Sequence, residues 1–224
     1  PFSRRESTAP RFSEGRIEQV GRPADFFANP ANDFVARFVG MERVLKPERL
    51  ERSGGDTVAE QRSALLALAL HVNGRSPAML VPAAADWPPV PRQVLTLHGR
   101  EDLTQHFVGS ALIAAHAGAQ WANAIGLSKE VRDARSGSGF SFTDLLADRA
   151  GTRLGEQIAA GRGNIAQRFA AGLPVDDVLP PLDGLPEFMP EDEFLRRFGG
   201  VDAPAYQAVI EDIEARLAKL ELYR

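Results

Sequence analysis

The chain has 224 residues, 44% of them hydrophobic, with a formal net charge of −4, a pI near 5.7 and no cysteine. Its length and apolar content are enough to bury a real core, which excludes a natively disordered chain. The acidic balance, with no basic run longer than a pair, argues against nucleic acid as a partner. The missing thiols exclude disulfides, thiolate catalysis, cysteine zinc sites and iron–sulfur clusters.

Residues 1 to about 57 are charged and punctuated by glycine, with short apolar clusters at Ile17 to Val20 and Phe34 to Val39, and they close on the linker-like SGGD at Ser53 to Asp56. This predicts an irregular N-terminal extension and a helical domain over 58–224. The opening PFSRRESTAP has no hydrophobic core region or cleavage site, so no signal peptide is expected. Ala59 to Val72 reads as a helix stopped by Asn73-Gly74, and the five prolines of Pro77 to Pro91 demand an irregular connection. The longest purely apolar run, Ala64 to Leu70, is far short of the roughly 20 residues that cross a bilayer, so no transmembrane segment is expected.

Glu101 to Ala117 has helical spacing and ends at Gly118. Leu103, Phe107, Ala111 and Ala114 share one face, and His106 and Ser110 lie on the adjoining stripe. A second helix, Trp121 to Arg135, carries Lys129, Glu130 and Asp133; Gly137 and Gly139 then force a turn. Ser141-x-x-Asp144 reads as a capping box that opens a third helix, on which Ala147, Gly151 and Gly155 recur every four residues as a smooth strip for close helix approach. Trp87 and Trp121 are expected as core anchors. After a proline-rich loop from Leu173 to Pro190 come a helix at Glu191 to Phe198 and another capped by Asp202, with Tyr206, Val209, Ile210, Ile213, Leu217 and Leu220 as its stripe. The expected fold is mostly α: a single compact helical domain of five or six helices.

Two resemblances emerge from these residues. Gly15 to Gly40, GRIEQVGRPADFFANPANDFVARFVG, closely resembles the end of the nucleotide-binding domain of ABC importer ATPases. The sequence contains no GxxxxGK[ST] loop to cradle phosphates, so neither nucleotide binding nor ATPase activity is expected, and the stretch reads as a remnant or fusion associated with an importer. From about Asp102 to Gly155, the order Asp102-Leu103-x-x-His106-Phe107, Gly126-x-x-Lys129-Glu130-x-x-Asp133, Ser138-Gly139-Phe140-Ser141-Phe142-x-Asp144 and Ala147-Asp148-x-Ala150-Gly151 is similar to the YfiM-like lipoproteins, and more distantly to VanZ-like membrane proteins. The resemblance implies a bacterial envelope, membrane-proximal location; without it the expectation is cytoplasmic. The cysteine that accepts lipid in that family is missing here.

Short connections should make the three central helices antiparallel neighbours. His106, Glu130, Asp133 and Asp144 would then converge as candidate catalytic residues; His106, Glu130 and Asp144 are the candidate ligands of a divalent metal, and Lys129, Ser138 and Ser141 the candidate ligand-binding residues. An imidazole beside carboxylates suits either metal binding or general acid–base work. The same set also suits a noncatalytic scaffold in which a polar network locks three helices, and the scaffold is the leading expectation. In that reading His106 is a core-edge histidine bonded to a carboxylate, Asp144 only caps a helix, and Glu130 pairs with Arg149 or a neighbour of Lys129.

Overall fold

The computed structural model of the protein describes residues 10–13, 16–19, 57–80, 82–86, 93–162, 165–170 and 172–224. In the N-terminal extension Pro10–Ser13 pairs antiparallel with Arg16–Gln19. The α-helices among the other described residues are α1 Thr57–Val72, α2 Glu101–Ala117, α3 Ala119–Ser136, α4 Phe142–Ala159, α5 Ile165–Ala170, α6 Val175–Val178, α7 Glu191–Phe198 and α8 Pro204–Leu217. The six longer helices match those expected from apolar periodicity. The short α5 and α6 fall where no amphipathic stripe is long enough to be read. Trp87 and the importer-like Gly15 to Gly40 lie largely or wholly outside the described residues.

The α2–α4 pair is the axis of the fold, and glycine makes it. A Cβ added at Gly151 would lie 2.0 Å from the Phe107 carbonyl oxygen, and one at Gly155 would lie 2.4 Å from that of Ala111. The smooth strip therefore brings two backbones into contact. Phe107, Ala111, Ala147, Ala150 and Leu154 are fully buried around this seam. Helix α1 packs on α2, with Leu65 and Leu68 inward. Helix α3 packs against both α2 and α4 through a narrow face of Ala122, Gly126 and Glu130. Trp121, expected in the core, is instead 64% exposed on that helix. It follows Gly118-Ala119-Gln120 at the first turn of α3, and the inward positions there go to Ala122 and the helix-spaced Gly126.

The joint between α3 and α4 is held from outside. Phe140 exchanges two backbone hydrogen bonds with Met189 (2.7 and 3.0 Å), and the Phe142 amide donates to the Pro186 carbonyl at 2.9 Å. The Phe140 ring stacks on Phe194 at 4.1 Å, and Phe142 meets Phe198 edge-on at 4.9 Å, so α7 clamps the start of α4. Gly139 sits at φ 96°, and a Cβ there would strike the Phe188 carbonyl carbon at 2.3 Å. Glycine is required at this turn by backbone angle and by space alike. On the far side α8 returns to α4, where Glu214 bridges Arg149 and Arg153. Its N-cap is Ala203 followed by Pro204 rather than the expected Asp202, and Pro at the first helical position serves as the start signal.

Candidate functional site

Three helices deliver four buried ionisable side chains to one point. His106 comes from α2, Glu130 from α3, and Asp144 and Asp148 from α4, one turn apart. Their side chains are 7%, 0%, 6% and 6% exposed. His106 Nε2 lies 3.4 Å from Asp144 Oδ2 and 4.0 Å from Glu130 Oε1, and His106 Nδ1 lies 3.1 Å from Asp148 Oδ1. One donor atom from each of His106, Glu130 and Asp144 falls within 4.8 Å of the others. The expected set is thus brought together apart from Asp133, whose carboxylate turns to Lys129 Nζ at 2.7 Å on the same helix. The amides of Gly137 and Gly139 donate to the main-chain carbonyl of Asp133, which ends α3. Lys129 also reaches Glu130 Oε1 at 3.4 Å.

The predicted capping box does not form. Ser141 is the N-cap of α4 but makes no side-chain cap bond; its hydroxyl pairs with Thr143 Oγ1 at 2.9 Å. Its backbone amide, which the box would assign to Asp144, donates to Glu130 Oε2 at 2.9 Å. A carboxylate from the preceding helix does the capping, and Asp144 is left free to face His106. Nor does Glu130 pair with Arg149, which binds Glu214. Ser138 is exposed on the turn, and Ser141 is buried beside the site with its hydroxyl on Thr143.

Two groups that periodicity did not single out complete the site. Arg100, just before α2, grips Asp102 with two bonds of 3.1 and 2.5 Å, reaches Asp144 Oδ1 at 3.4 Å, and bonds Glu187, which in turn accepts from Thr143 Oγ1 at 2.8 Å. Its position between a loop and a helix start leaves no pattern to read. Asp148 is held by the Ser110 hydroxyl at 2.7 Å as well as by His106. The paired spacings His106/Ser110 and Asp144/Asp148, each one turn apart, were the available signal.

The electrostatics reflect an excess of acid in a dry place. Burial pushes the Glu130 carboxyl up to about 7, helped by the charge of Asp144 and opposed by Lys129 and His106. Burial also raises Asp144, against the pull of His106. Burial disfavours a charged His106, yet the Asp148 hydrogen bond and the charges of Asp148 and Asp144 outweigh it and raise the imidazole above its ordinary value. A neutral ring that donates from Nδ1 to Asp148 Oδ1 would turn its Nε2 lone pair toward two further acceptors, Glu130 and Asp144. Lys129 Nζ, 3.4 Å from Glu130 Oε1, and Arg100, 3.4 Å from Asp144 Oδ1, offset part of this acceptor cluster, and a proton or a cation between His106 Nε2 and the two carboxylates would offset the rest.

Comparison with known proteins informs the other end of the chain. Over 42 residues, 19% of this chain and 11% of the relative, it is 43% identical to the spermidine/putrescine import ATP-binding protein of Pseudomonas aeruginosa. It is 46% identical over 50 residues (22% and 13%) to the osmoprotectant import ATP-binding protein of Salmonella typhimurium. With the sn-glycerol-3-phosphate import ATP-binding protein of Cupriavidus necator it shares 40% identity over 48 residues (21% and 13%). The chain therefore spans only 11–13% of the length of these curated relatives, in a short N-terminal stretch similar to ABC importer ATPases. No family model matches, which leaves the YfiM-like resemblance without independent support, and no solved structure matches. No helix among the described residues is long and apolar enough to cross a membrane.

Proposed function

We propose that the helical part of this protein is a divalent-cation-binding domain whose centre is His106 Nε2, Glu130 Oε1 and Asp144 Oδ2. The observation that carries this reading is the convergence of three buried acceptors, with the second imidazole nitrogen turned onto Asp148. Two ligands each about 2.1 Å from a zinc ion at a tetrahedral angle stand about 3.4 Å apart, which is the His106–Asp144 separation; Glu130, at 4.0 Å, closes by about half an ångström. One imidazole with two carboxylates suits zinc or manganese better than calcium or magnesium. A cation held there would supply Lewis acidity.

Metal analysis of the purified protein tests this: about one equivalent of zinc or manganese is expected, falling to background in His106→Gln with the helical circular dichroism unchanged. A metal-free wild type that binds no added zinc sinks the reading. The alternative is a structural lock, which the Glu130 bond to the Ser141 amide favours, since it ties α3 to α4 without any ligand. That alternative predicts that His106→Gln loses stability and that no metal is bound by either form. An envelope location rests on the YfiM-like resemblance alone, and association with an importer on the short N-terminal likeness.

A further inference from the structure

We infer that Asp148 is the positioning residue of this centre: it fixes the His106 ring with hydrogen on Nδ1 and Nε2 bare, and Gly126 is the recess that lets it do so. The inference rests on the cation-binding reading but has a readout of its own.

Asp148 bonds the Nδ1 side of the imidazole, whereas Glu130 and Asp144 lie at Nε2. Its Oδ1 takes both the Ser110 hydroxyl at 2.7 Å and His106 Nδ1 at 3.1 Å, while Oδ2 is buried and has no hydrogen-bond partner. A buried carboxylate oxygen without a donor is costly and needs a reason. The reason lies in α3: a Cβ at Gly126 would sit 2.5 Å from Asp148 Oδ2 and 3.0 Å from its Cγ. The carboxylate is thus wedged between a hydroxyl on α2 and bare helix surface on α3, with one oxygen given over to aiming the imidazole. Gly126 is inside a helix, where glycine is disfavoured relative to alanine, so its place there is explained by this recess. A carboxylate behind a metal-binding imidazole selects the tautomer and raises the basicity of the nitrogen that faces the ion.

The experiment uses the full chain with nitrogen-15-labelled histidine at a pH where the imidazole is neutral, the His106 signals being assigned by their loss in His106→Gln. The wild type should show His106 protonated at Nδ1. Asp148→Ala should shift it toward the Nε2-protonated form and weaken zinc binding about 10- to 100-fold, with helical content kept. Asp148→Asn, which keeps an acceptor for Nδ1, should restore the tautomer and part of the affinity. Should Asp148→Ala fail to fold, Gly126→Ala, which displaces the carboxylate without removing it, must move both readouts the same way. An unchanged tautomer in whichever of these two variants folds overturns the inference. If the wild type binds no zinc, the cation reading fails by itself, and the tautomer still decides the role of Asp148.

Discussion

Glu130 shows how much one side chain can be asked to do. One of its oxygens accepts the Ser141 amide and the other faces His106, in a setting that pushes its carboxyl up to about 7. Because the folded value lies above the ordinary 4.5, the native state binds the proton more tightly than the unfolded chain does between those values. Stability from this group is therefore fully present below pH 4.5 and is lost as pH rises through about 7, by on the order of 3 kcal/mol. His106, also raised, pushes the same way: its contribution is present below its unfolded value near 6.5 and is lost as pH climbs past the raised one. Urea unfolding of metal-free protein should show the midpoint falling from pH 5 to pH 8, and Glu130→Gln should flatten that slope. A midpoint that rises over this interval would contradict the arrangement described. Added zinc, by replacing the proton, should reverse the fall in the wild type alone.

At the scale of elements, the α2–α4 seam depends on two glycines and ignores a third. Gly151→Ala and Gly155→Ala each drive a methyl into a carbonyl oxygen and should cost about 1–3 kcal/mol or more, read as a drop in Tm. Gly109, on α2, has nothing within 4 Å of an added Cβ, so Gly109→Ala should stabilise by about 0.5–1 kcal/mol. Equal effects at the three positions would mean that the seam is looser than described. The seam was legible in the sequence because small residues at every fourth position can be seen without knowing the partner. Trp121 was misread for the opposite reason: bulk and apolarity suggest a core anchor, yet α3 presents only a narrow inward face, and a tryptophan one position outside it stays in water. Asp144 shows a third kind of limit. Ser141-x-x-Asp144 satisfies the local pattern of a capping box, and only the long-range arrival of Glu130 displaces the acid from that role.

Across the whole molecule, helices and their order followed from apolar spacing and glycine stops, whereas the site's outer half did not. Arg100 and Glu187 are far apart in sequence and meet because the 186–190 segment crosses the start of α4. Neither residue belongs to a periodic stretch, so nothing local points to the pairing. The boundary near residue 57 is a proposal with a direct check: a truncated chain of residues 57–224 should keep its helical circular dichroism and unfold cooperatively. Loss of either would show that the N-terminal part is needed for folding. The intact chain should not retain an ATP analogue in equilibrium dialysis, because no phosphate-cradling loop occurs in its sequence.

The shared carboxylate of Glu130 carries a thermodynamic corollary. Whatever occupies the side near His106 draws on the same group that holds the N-cap amide of α4, so occupancy and fraying of that helix end are linked, and the linkage runs equally in both directions. The Ser141 amide proton is thereby a reporter built into the backbone: its exchange with deuterated solvent should change when the centre is filled or emptied. The amides of Gly155 and Ile158, far along the same helix, serve as the silent reference.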